Sequence, residues 1–228
     1  MQIEKAEPYR QLVDDRKACR VCSGVTNPSV CGDGTHDSDQ IGPWSLWQGN
    51  LDAELMVVGQ DWADVTYFLA HPGRESANNP TNETLRKLLA SIGIEIEPPS
   101  TDRGSSAKLF FTNAILCLKE GGLQASVKPE WFSNCGQRFL KPTVDLVQPR
   151  VVVTLGEMAY HAVAAAYEIP ALPFKAAVEK EDGFPLTNRT TLYPVYHCGA
   201  RILNTHRHFD QQVADWNRIR LALGTVKL

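Results

Sequence analysis

The sequence predicts an α/β fold: a three-layer sandwich with a central four-stranded parallel sheet and helices on both faces. Three observations carry that expectation. Four short apolar runs each stop at a glycine or a polar residue. Segments with helical periodicity separate them. The runs are apolar throughout rather than alternating, as strands covered on both faces are.

The elements follow in order. Residues 1–18 read as a short amphipathic helix leading into Cys19 and Cys22. Residues 23–50, rich in Gly, Ser, Pro and Asp, read as a long loop. A loop of that length inside a domain is functional or tied down. Glu54 to Gly59 is the first strand. Residues 80–93 form a helix: Leu85, Leu88, Leu89 and Ile92 share one face, Pro80 suits its start and Gly93 its stop. Leu109 to Leu116 is the second strand. Residues 129–147 are helical, interrupted or kinked at Pro142. Val151 to Leu155 is the third strand, and an Ala-rich helix follows over 157–168. Thr191 to His197 is the fourth strand, where Pro194 suggests a sheet edge. A last helix spans 209–223, with Phe209, Val213, Trp216 and Leu223 turned inward. Together these make a single domain over residues 1–228, its N-terminal cysteine-containing segment (about 1–50) tied to the core.

Composition narrows the function. The chain has 228 residues, 43% apolar and 21% charged, which excludes disordered, collagen-like and coiled-coil chains. No stretch approaches the roughly 20 apolar residues of a membrane span. The charged N-terminus lacks the apolar core of a signal peptide, so the expected compartment is the cytoplasm. A net charge of −3 excludes nucleic-acid affinity from overall charge but leaves room for a local basic groove. In a reducing compartment six cysteines are core residues, nucleophiles or metal ligands, and Cys19-x-x-Cys22 raises the metal reading.

Sites in parallel sheets gather beyond the C-terminal strand ends. That rule selects Gly59 to Asp64, Asn113 to Cys117, Gly156-Glu157, and His197 onward. The residues there resemble the uracil-DNA glycosylase superfamily. Gly59-Gln60-Asp61 is similar to its water-activating motif. Thr112-Asn113 with Cys117, then Cys135, Phe139-Leu140 and Gln148 to Gly156, resemble the iron–sulfur (family four) type. His197 resembles the second catalytic motif. The first motif is diverged, reading Gly59-Gln60-Asp61-Trp62-Ala63. The Phe expected to stack on the flipped base is replaced by Asn78-Asn79-Pro80, leaving Trp62, Tyr67 and Phe68 as aromatic candidates.

The resemblance implies a chemistry. Removing a base from deoxyribose passes through an oxocarbenium-like sugar and requires the base to be flipped from the stack. Asp61 is the implied carboxylate that holds water or stabilises that sugar. Gly59, Gln60, Trp62 and Asn113 are implied for substrate binding. Asn113 matches the N3–H and O4 edge of uracil and rejects cytosine. His197 is implied as the donor to the leaving base. In the following stretch Ile202 or Leu203 is the apolar wedge, while Arg201 and Arg207 meet phosphates. Cys19, Cys22, Cys117 and Cys135 match the ligand order of a [4Fe–4S] cluster; a zinc site or buried core thiols are the alternatives. The expected activity is a monofunctional, monomeric glycosylase on uracil in DNA, with another modified base, or a non-catalytic nucleic-acid-binding role, as alternatives.

Overall fold

The computed structural model describes residues 5–76, 78–99, 108–122 and 125–224. The first four positions of the expected N-terminal helix, and residues 123 and 124, lie outside the described residues. In chain order the strands are β1 (Val25–Thr26), β2 (Leu55–Asp61), β3 (Leu109–Ile115), β4 (Leu118–Lys119), β5 (Val151–Leu155), β6 (Phe184–Pro185) and β7 (Thr191–Val195). The helices are α1 (Ala6–Ala18), α2 (Val65–Ala70), α3 (Pro80–Ser91), α4 (Pro129–Cys135), α5 (Lys141–Val147), α6 (Glu157–Ala166), α7 (Phe174–Glu179), α8 (Ala200–Thr205) and α9 (Phe209–Leu223).

The four expected strands form the parallel part of a sheet ordered β3-β2-β5-β7-β6. The short fifth strand, β6, was not foreseen; it adds antiparallel to β7. Pro194 therefore lies on an interior strand, contrary to the edge expectation. The physical reason for the signal survives: β6 pairs only with Thr191 and Leu192, so the outer side of Pro194 needs no N–H.

Side chains alternate across the sheet. Met56, Val58, Phe110, Val152 and Leu192 turn toward a core shared with α1, α4, α5 and α6. Leu55, Val57, Leu109, Phe111, Val153 and Val195 turn toward α3 and α9. Helix α3 buries Leu85, Leu88 and Leu89 completely. Asn79 caps it, accepting from the Thr81 and Asn82 amides, and Gly93 follows at φ +86°. The expected interruption near Pro142 is a π-helical segment, Gly136–Leu140, between α4 and α5. Pro142 cannot donate to the carbonyl four residues back, so the ladder widens before it. In α9 the inward residues are Trp216, Ile219 and Leu223; Phe209, at the first turn, is exposed.

Arg16 ties down the long N-terminal loop. Its buried guanidinium meets both Asp37 oxygens at 2.7 and 2.8 Å and donates to the Ser38 and Gln40 carbonyls. Among the described residues no helix is long and apolar enough to cross a membrane.

Candidate active site

The site starts from strand register. Gly59 on β2 lies opposite Asn113 on β3, and both continue the face turned toward α3 and α9. The Asn113 carboxamide, 5% exposed, lies over the glycine Cα. A Cβ at Gly59 would stand 2.6 Å from Asn113 Nδ2 and 3.3 Å from the Trp44 ring. Gly59 thus serves the site by having no side chain.

Asp61 ends the same strand. Its carboxylate meets Lys119 Nζ at 3.0 Å through Oδ1, and Gln60 Nε2 donates to Oδ2 at 2.6 Å. The Gln60 side-chain amide is thus directed at Asp61. Trp62 comes next, packed edge-on against Tyr67 and Phe68. Of the aromatic candidates, Phe68 is wholly buried against Cys31 and Leu118, which withdraws it from any base. Tyr67 stacks on His71 at 4.1 Å between ring centres. Trp62 is the one that directly follows Asp61.

His197 lies two residues past β7, beside Gly156 at the end of β5. Its residue keeps an exposed side, yet protein packed around the ring lowers the imidazole pKa below its ordinary value. The Asp61 charge partly opposes that shift, which ties these two groups into one electrostatic site. The Gly199 N–H donates to His197 Nδ1 at 3.0 Å. An Nδ1 that accepts leaves the proton of neutral imidazole on Nε2, so that edge of the ring is a donor. Gln212, fully buried on α9, donates to the His197 carbonyl at 3.3 Å and fixes the backbone there.

The stretch after His197 is helical rather than an open loop. Arg201, Ile202 and Leu203 lie on α8, which buries none of its residues. Arg207 follows it and is engaged bidentately by Asp215, at 3.0 and 2.7 Å. Arg201 remains exposed.

On the opposite face of the sheet four thiols approach one another. Cys117 is pushed up to about 12, first by burial and then by the charges of Cys135, Cys19 and Cys22. Cys135 is pushed up to about 11 by burial, with Cys22 and Cys19 adding to it. The Asn134 amide donates to Cys22 Sγ at 3.3 Å. Among the described residues, no three His, Cys, Asp or Glu side chains are gathered tightly enough to hold a metal ion. Cys31 and Cys198 are buried elsewhere, the latter against the Thr81 carbonyl.

Two groups escaped sequence reasoning. Lys119 is one; its signal was a lysine closing the apolar run Ala114 to Leu118. Glu75 is the other. Tyr67 Oη and Asn79 Nδ2 approach its carboxyl at 3.4 and 3.2 Å, and Asn82 and Trp62 also face it. Burial nevertheless dominates and raises its pKa to about 7. Nothing in the composition around Glu75 marked it.

The chain is similar in sequence to known proteins. The type-5 uracil-DNA glycosylase of Pyrobaculum aerophilum is 28% identical over 182 residues, covering 75% of each chain. The family model of the uracil DNA glycosylase superfamily matches residues 46–219, from the turn before β2 to α9. A match over most of the chain, running through every strand end that forms the site, makes this protein a member of the uracil DNA glycosylase superfamily.

Proposed function

We propose that the chain is a monofunctional DNA glycosylase that hydrolyses the N-glycosidic bond of uracil in DNA and leaves an abasic site. One observation carries the reading. A carboxylate, Asp61, and a neutral histidine whose Nε2 edge is a donor share one site at the C-terminal ends of β2 and β7, on either side of β5, with the Asn113 amide on the neighbouring β3.

The roles follow from charge. As the bond lengthens, the sugar becomes cationic and the base anionic. Asp61 lies at the cationic side, where it stabilises the sugar and orients water. His197 lies at the anionic side. Held as the Nε2–H tautomer by Gly199, it donates to the base carbonyl without itself carrying charge. Asn113 offers one acceptor and a donor pair, the complement of the N3–H and O4 of uracil. Gly59, Gln60 and Trp62 complete the pocket. Ile202 or Leu203 on α8 fills the gap left by the flipped base, and Arg201 meets phosphate. Arg207 contributes through Asp215, which holds it against α9, and reaches phosphate only by exchanging that partner. The protein acts as one domain and as a monomer on DNA.

Cys19, Cys22, Cys117 and Cys135 are assigned to a [4Fe–4S] cluster, which supplies a covalent tie between the N-terminal segment and the core. The donor set supports this: four thiols whose charges act on one another, Cys135 buried and the other three half-buried, with Arg138 and Arg16 lowering the cost of thiolates.

The test is Asp61→Asn. Single-turnover cleavage of a uracil strand should fall by roughly 10²-fold or more, while affinity for uncleaved DNA stays near wild type. An unchanged rate removes Asp61 from the mechanism.

A further inference from the structure

We infer that Lys119 is the positioning residue of the reaction: it clamps one oxygen of Asp61 while Gln60 clamps the other, presenting the carboxylate to the sugar in one fixed plane. The inference rests on the glycosylase reading of the site.

The geometry is specific. Lys119 Nζ meets Asp61 Oδ1 at 3.0 Å, with 6% and 9% of the two side chains exposed. Gln60 Nε2 meets Oδ2 at 2.6 Å. A carboxylate has about four lone-pair sites, so two such bonds stop its rotation and still leave an acceptor position on each oxygen. A water and the sugar can use those. An unclamped carboxylate beside a developing cation would rotate and lose alignment, and small misplacements at a reacting centre are costly.

The lysine is itself held. Its backbone N–H donates to the Ala63 carbonyl at 3.3 Å, two residues past Asp61. The Lys119 backbone also forms an isolated parallel β-bridge with Asp64 and pairs across from Val25 in the β1–β4 sheet. Its Cα is thereby fixed against the very segment that carries Asp61, and the four-carbon stem spans the remaining distance.

Stability alone does not account for the pair. Desolvating two charges offsets most of their attraction, so a buried ion pair is weak evidence of a stabilising role. The pair also sets a cation near a site that must become cationic. That arrangement hinders the chemistry unless orientation of the carboxylate outweighs the opposing charge.

The experiment measures single-turnover cleavage and DNA affinity for Lys119→Met, Lys119→Arg, Asp61→Asn and the double variant Asp61→Asn with Lys119→Met. Lys119→Met should cleave about 10²-fold more slowly with DNA affinity within about threefold and an unchanged salt slope. Lys119→Arg, which can still hold the carboxylate, should recover most of the rate. With Asp61→Asn already present, Lys119→Met should cost nothing further. The double variant removes both charges of the Asp61–Lys119 pair, so the comparison survives if Lys119→Met alone folds poorly. The inference is overturned if Lys119→Met retains the wild-type rate, if it costs as much in the Asp61→Asn background, or if the loss lies in DNA affinity and salt slope. Wild-type protein that leaves uracil strands intact overturns the glycosylase reading and the inference with it. Active wild type with an indifferent Lys119 overturns the inference alone.

Discussion

Replacing Gly59 with alanine adds one methyl group and should disable base recognition. The new Cβ would stand 2.6 Å from Asn113 Nδ2. Ordinary contact needs roughly 3.5 Å, so the amide must retreat by about 0.9 Å. Trp44, 3.3 Å away on the same side, narrows the room for the methyl to shift instead. The group that yields is the one proposed to read the base. A displacement near 1 Å in a positioned group lowers rates by about 10²-fold. Overpacking of this kind costs stability by about 1–3 kcal/mol. The assay is single-turnover cleavage of a uracil-containing strand, with thermal melting to confirm the fold. In an Asn113→Ala background the same substitution should cost little more, because the displaced group is gone. Wild-type cleavage by Gly59→Ala would refute the reasoning, since Asn113 would then not depend on the space the glycine leaves.

Other expectations follow from burial and charge. Glu75, raised from 4.5 to about 7, is a carboxyl whose folded form prefers the proton. Its contribution to stability is full below pH 4.5 and lost as pH rises through 7. Glu75→Gln should therefore flatten that slope and gain at most about 3 kcal/mol at pH 8; denaturant unfolding at pH 5 and 8 checks it, and equal slopes in both proteins contradict it. His197 sits below its ordinary pKa, so it is neutral at pH 7 and accepts from Gly199. The acid limb of the cleavage rate should fall below pH 6.5, and His197→Ala should slow every base alike by roughly 10²-fold; a change in base ranking would contradict the role. Protein purified without oxygen should contain iron and acid-labile sulfide, lost in Cys117→Ser along with stability of the N-terminal segment; stoichiometric zinc without sulfide would reject the cluster.

The sheet was legible because its signals are local. Val151 to Leu155 and Leu109 to Leu116 are apolar throughout, and burial on both faces demands that. The capped start of α3 was legible at Pro80 and its end at Gly93. The edge strand β6 was not, because two residues, Phe184 and Pro185, give no periodicity to read. Asp61, Asn113 and His197 could be picked out because strand ends concentrate sites in parallel sheets. Lys119 and Glu75 could not be assigned to them, since their roles depend on which side chains a tertiary turn brings near. The helical form of α8 escaped for a related reason. Ala200 to Thr205 buries nothing, so no apolar stripe marks it. Arg207, a plausible phosphate contact in the sequence, is folded back onto Asp215, eight residues further along the chain.

The proposed chemistry breaks the bond between uracil and deoxyribose. The most direct measurement incubates the purified protein with strands carrying a single uracil, hypoxanthine or modified cytosine, and quantifies both free base and alkali-labile abasic sites. Free uracil and abasic sites should appear in equal amounts from the uracil strand, with both products reduced together in Asp61→Asn and His197→Ala. Intact uracil strands alongside another base released would contradict the assigned substrate; no base released from any strand, with DNA still bound, would contradict the enzyme.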